Sequence, residues 1–153
     1  MKRELKFEFV FRNPNSKEVI ISAPYTLNEI RDCQLDDIRE SCLVCDCEPI
    51  GETNVVECNC EDYYDQFEEI AIRQYTGIQD QTSKEIYEGD IIKGNHPNCF
   101  MIVRMLGGLS LLNVKFLGQD HNELVADPIN SAENHSWLSN SIVVGNIYEN
   151  PKP

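Results

Sequence analysis

Residues 73–93 read Arg73-Gln74-Tyr75-Thr76-Gly77-Ile78-Gln79-Asp80-Gln81-Thr82-Ser83-Lys84-Glu85-Ile86-Tyr87-Glu88-Gly89-Asp90-Ile91-Ile92-Lys93. After a polar connection over 77–84, two short apolar arms, Glu85-Ile86-Tyr87 and Asp90-Ile91-Ile92-Lys93, stand on either side of a Glu88-Gly89 turn. Gly77 and Gly89 suit positions of positive φ, where a Cβ is penalised. Tyr75 and Tyr87 offer apolar bodies with a hydroxyl for the rim, and Asp90 can cap the turn that Gly89 makes. Short arms punctuated by turn residues predict β structure from Tyr75 onward.

Working towards the C-terminus, residues 94–98 form a loop with His96-Pro97, and 100–106 and 109–117 read as two strands around Gly107-Gly108, a dipeptide suited to a tight hairpin. A polar loop over 118–123 and a Ser/Asn/His-rich connection over 130–141 precede a last strand at 142–148, stopped by Asn150-Pro151. Many short strands and few helical patterns predict a small SH3-like β-barrel or rolled sheet in the C-terminal half, because closure hides sheet edges.

Working towards the N-terminus, residues 63–75 allow a helical face through Phe67, Ile70, Ala71 and Gln74, but Ile70 to Tyr75 equally suits a strand, which is the reading preferred here. At the start of the chain, Leu5, Phe7, Phe9 and Phe11 alternate with charged residues at period two. The turn-rich Asn13-Pro14-Asn15-Ser16 and a β-branched run over 18–22 complete an expected hairpin over 4–22. Thr26-Leu27-Asn28-Glu29 matches a capping box and predicts one or two helical turns up to about Glu40. The expected fold class is therefore mainly β, α+β in its N-terminal part, with a division at 1–72 and 73–153 inside one compact unit.

The chain has 153 residues and a formal charge of −13. Its segments 1–26, 27–69 and 70–153 carry +2, −12 and −3, so almost all the excess lies in the middle. A phosphate-backbone binder needs a basic stripe, and the 13 Lys and Arg are scattered singly apart from Lys2-Arg3, which argues against direct nucleic-acid binding. The acidic stretch, with Asp36, Asp37, Glu40, Glu68 and Glu69, reads either as a solvated face or as a surface for a basic protein. No apolar run is long enough to span a bilayer, and Met1-Lys2-Arg3 is not followed by the apolar block of a signal peptide; a cytoplasmic protein without a membrane partner is expected.

Five of the seven cysteines fall in 41–62, on two expected hairpin arms at 42–48 and 54–61. Cys42, Cys45, Cys58 and Cys60 are the four that a structural zinc would use, although Cys58-x-Cys60 lacks the usual two-residue knuckle spacing. Small buried core thiols are the preferred reading, with no cofactor expected, and a disulfide or redox role is the third. Cys33 and Cys99 suggest no role, and His96, His121 and His135 read as surface loop residues. Neither a phosphate-binding glycine motif nor a nucleophile in a strand–turn–helix setting is present, and Glu85, Glu88 and Asp90 read as turn carboxylates rather than acid–base catalysts.

The run over 73–93 and the tail Val144-Gly145-Asn146-Ile147-Tyr148-Glu149-Asn150-Pro151 strongly resemble the YopX family of phage and prophage proteins. Leu5-Lys6-Phe7 is similar to the start of that family. This chain departs from it in having Gln81-Thr82-Ser83 where an Asn-Gly-type turn is usual, and Glu8-Phe9-Val10 where Arg-Ala-Trp is common. The resemblance implies a mostly β protein with a barrel-like C-terminal part, encoded by a mobile element and acting in a bacterial cytoplasm. It implies no activity. Tyr75, Gly77, Tyr87, Gly89, Asp90, Gly145, Asn146 and Tyr148 then form a family motif whose expected role is structural, with no catalytic residue. The expected function is an accessory role through contact with a protein partner or as a homo-oligomer; the alternatives are an acidic DNA mimic and a zinc-containing module.

Overall fold

A computed structural model describes residues 4–32, 34, 37–38, 66–105, 108–114 and 127–149. The chain is mainly β, built from curled antiparallel sheets with few helices. It divides into two compact units, one of Lys6–Ile72 and one of Arg73–Pro153 with Met1–Leu5.

In the Lys6–Ile72 unit, β1 (Lys6–Arg12) pairs antiparallel with β2 (Val19–Ile21), Val10 opposite Ile21 and Arg12 opposite Val19. This is the expected hairpin, and Asn13 builds its turn. The Asn13 carboxamide oxygen accepts the N–H groups of Asn15 and Ser16 at 2.9 and 3.2 Å, while Lys17 takes the left-handed conformation at φ 65°. The period-two pattern predicts a strand with one covered face, yet Phe9, Val10 and Phe11 are all buried, so both faces are covered at its centre. Phe9 and Phe11 pack with Ile38 and Phe67. β3 (Tyr25–Thr26) pairs with the start of β1, and α1 (Leu27–Asp32) follows at once. The capping box forms: the Thr26 N–H donates to the Glu29 carboxylate at 2.7 Å. The cysteine arms at 42–48 and 54–61 lie outside the described residues.

The segment that allowed either helix or strand is strand: β4 (Glu68–Gln79) begins in this unit and ends in the next. In the Arg73–Pro153 unit it pairs with β5 (Glu85–Tyr87), Tyr75 opposite Tyr87 and Gln79 opposite Glu85, with a bulge between the two pairs. Gly77, at φ 84°, occupies that bulge. A second sheet has the order β10-β6-β7-β8-β9, where β6 is Asp90–Lys93, β7 Phe100–Met105, β8 Gly108–Asn113, β9 Asp127–Pro128 and β10 Ile142–Asn146. β7 and β8 form the hairpin expected around Gly107-Gly108, with Met105 opposite Gly108. Ile78, Ile86, Ile92, Ile102, Leu109, Leu111, Ile129 and Leu138 make the core of this unit.

One segment differs from expectation. The connection over 130–141 holds a helix, α2 (Ala132–Ser139), which Ser131 caps by accepting the Asn134 N–H at 3.1 Å. The last strand also ends sooner than expected, at Asn146, because the Asn146 side chain takes over the backbone N–H groups of Tyr148 and Glu149 and turns the chain.

Candidate functional site

The family-motif residues come together within the Arg73–Pro153 unit. β5 and β6 are joined by the two-residue turn Glu88-Gly89, in which Gly89 sits at φ 86°. Its N–H donates to the Ile102 carbonyl at 2.8 Å, and its own carbonyl accepts the Ile147 N–H at 3.0 Å. A Cβ on Gly89 would lie 2.8 Å from the Tyr148 ring, so this position excludes side chains by both conformation and space. Register then places Asn146 opposite Asp90 and Gly145 opposite Ile91, with a bulge between Val143 and Gly145.

At the centre lies an ion pair. Arg73 Nη2 donates to Asp90 Oδ1 at 2.7 Å with both side chains buried, and Asp90 Oδ2 accepts the Tyr87 N–H at 2.8 Å. The Arg73 guanidinium lies 5.1 Å from the centre of the Tyr87 ring, and Tyr87 packs on Tyr75 at 5.4 Å. Burial pushes the Asp90 carboxyl above its ordinary range, against the opposing pull of the Arg73 charge and the Tyr87 N–H. Burial likewise pushes the Tyr148 phenol up; the charges of Glu88 and Asp90 add to this, and Arg73 opposes it.

A second buried carboxylate, Asp80, holds the β4–β5 turn. Its Oδ1 accepts the Thr82 N–H and hydroxyl at 2.7 Å each and the Lys84 N–H at 3.0 Å. Its Oδ2 accepts the Val143 N–H at 3.0 Å, 63 residues along the chain. Burial pushes this carboxyl up, but the hydrogen bonds from Val143, Thr82 and Lys84 outweigh it and hold it below its ordinary value. Ser83, at φ 69°, takes the left-handed place in the turn, a conformation that glycine adopts more readily.

Glu85 accepts the Tyr87 hydroxyl at 2.7 Å, and Glu88 accepts from Arg104 at 2.8 Å, while the same Arg104 nitrogen reaches Gln74 at 3.2 Å. Chemically, the arrangement fixes charges in place; its carboxylates face the protein's own donors.

On another part of the same unit, His96, Phe100, Leu111, Asp127, Glu133, Asn134 and Trp137 line an open cavity of about 150 Å³. Phe100 stands edge-on to His96 at 5.3 Å and to Trp137 at 5.4 Å. Gly94 makes this possible, since a Cβ there would lie 2.8 Å from the indole. Sequence reasoning left Arg73 and Asp80 off the motif residues and did not connect His96 with Trp137. The signal for the first two was their place inside the motif run; the cavity has none at the level of spacing.

Cys42, Cys45, Cys58 and Cys60 lie outside the described residues, as do Cys33 and His121; Cys99 is half-buried, and His96 and His135 are exposed. Among the described residues no group of three or more His, Cys, Asp or Glu could hold a metal ion. No helix among them is long and apolar enough to cross a membrane.

The YopX protein family model matches residues 11–152, nearly the whole chain and more than the motif runs alone. The chain belongs to the YopX family. Among solved structures, this YopX protein is similar to protein EF1440 from Enterococcus faecalis, at 20% identity and a TM-score of 0.43, with 95% of this chain and 96% of the other covered. No curated protein matches it.

Proposed function

We propose that this YopX protein is a non-catalytic accessory protein of a phage or prophage, working in the bacterial cytoplasm by contact with another protein. The observation that supports this most is the engagement of the motif carboxylates. Both oxygens of Asp90 and both of Asp80 accept hydrogen bonds from the chain's own donors, and Glu85 and Glu88 are each paired. A general acid or base must face a substrate proton, and these groups are committed to holding strands and turns. Ile70 and Ile72, alternate residues on β4 and therefore on one face of it, are 40% and 47% exposed, and such surface apolar area suits a contact.

The test is purification of the tagged protein from cells in which the mobile element is active. A protein retained in stoichiometric amount supports the reading. Turnover of a substrate by the purified chain, lost in Asp90→Asn with the fold retained, would overturn it.

A further inference from the structure

We propose that the cavity between β7 and α2 is a receptor for one arginine side chain of a protein partner. The inference names the chemistry of the partner and so rests on the protein-binding reading above.

Its walls are of two kinds. Phe100, Trp137, His96 and Leu111 give an aromatic and apolar lining, and Asp127 and Glu133 add two carboxylates, while no Lys or Arg is among the described lining residues. π-Systems attract cations through the ring quadrupole, tryptophan most strongly, and carboxylates complete the neutralisation. Guanidinium suits such a site better than ammonium, because it is planar, weakly hydrated, able to stack on rings and able to bond a carboxylate through two N–H groups. About 150 Å³ is below the range of about 300–1,000 Å³ usual for whole small-molecule ligands, so the guest is of side-chain size.

The lining is held by the fold rather than assembled on demand. Trp137 is seated over Gly94, and its neighbour Leu138 is fully buried in the core. Asn134 Nδ2 donates to the Pro128 carbonyl at 2.8 Å, which ties the first turn of α2, carrying Glu133, to β9, carrying Asp127. Asp127 is in turn set by its pairing opposite Leu111. The two carboxylates therefore come from neighbouring elements with a fixed relation.

The test uses the intact chain and its own reporter, since Trp137 is the single tryptophan. Indole fluorescence is followed during titration with N-acetyl-arginine-N-methylamide, and separately with the citrulline analogue, which is nearly isosteric and uncharged. A saturable change is expected for the arginine compound alone, with a Kd on the order of 1 mM, as suits a single side chain. Asp127→Asn with Glu133→Gln, at exposed positions and therefore neutral to the fold, is expected to weaken binding at least fivefold. An equal response to citrulline, an unchanged affinity in the double variant, or no saturable change would overturn the proposal. Because no partner is present, this result is independent of whether a protein co-purifies.

Discussion

Arg73 and Asp90, 17 residues apart, meet at 2.7 Å, the guanidinium against the Tyr87 ring, with less than a tenth of either side chain exposed. A buried ion pair is weak evidence of net stabilisation, but removing one partner strands the other. Arg73→Met is expected to destabilise the chain by about 3–5 kcal/mol at neutral pH in urea unfolding. Losing its counter-charge drives the Asp90 carboxyl further up. A folded-state value above the unfolded one gives stability that is present at low pH and lost as pH rises, so the deficit of Arg73→Met is expected to shrink on acidification. A deficit that grows at low pH contradicts this account of the pair.

Asp80 gives the opposite sign. Its folded carboxyl lies below the ordinary value, so its contribution is present above that value and is lost as pH falls through the folded one. Asp80→Asn is expected to cost about 1–3 kcal/mol at pH 7, because it weakens the bonds from Thr82, Lys84 and Val143. The gap between wild type and variant should narrow as pH falls below the ordinary aspartate range. Denaturant midpoints at a series of pH values measure it.

Gly89 and Gly94 test close approach. Gly89→Ala places a methyl group 2.8 Å from the Tyr148 ring at φ 86° and is expected to cost about 1–3 kcal/mol. Gly94→Ala pushes on the indole of Trp137, so its fluorescence maximum is expected to shift even where stability falls little. An unshifted spectrum contradicts the placement of Trp137.

The cysteines make a chemical prediction. We propose that Cys42, Cys45, Cys58 and Cys60 are reduced thiols rather than zinc ligands. Elemental analysis of protein purified without a metal-affinity tag is expected to find no stoichiometric zinc, and one zinc per chain contradicts it.

The strands were legible because alternation and turn residues are local signals. Phe9 and Phe11, the Thr26–Glu29 capping box and the Gly89 turn all report through neighbours a few residues away. Helix α2 was not legible: Ala-Glu-Asn-His-Ser-Trp-Leu-Ser buries only Leu138, so no apolar stripe forms, and Ser131 is followed three residues later by Asn134 rather than the Glu or Gln of a capping box. The pairing of Arg73 with Asp90 and of Asp80 with Val143 is set by sheet register, which spacing along the chain does not encode. Ser83 adopts positive φ without being glycine because Asp80 fastens both sides of it, through Thr82 and Lys84. The cavity joins residues from 96 to 137, and only tertiary structure brings them together.

Whether this YopX protein acts by gripping a basic protein partner is measured most directly by affinity purification from cells carrying the active mobile element. Wild type and the Asp127→Asn, Glu133→Gln variant are compared at low and physiological salt, with retained proteins identified and quantified. Wild type is expected to retain one protein in stoichiometric amount, with less of it at higher salt and a large loss in the variant. No protein retained by wild type, or equal retention by both chains at both salt concentrations, would contradict it.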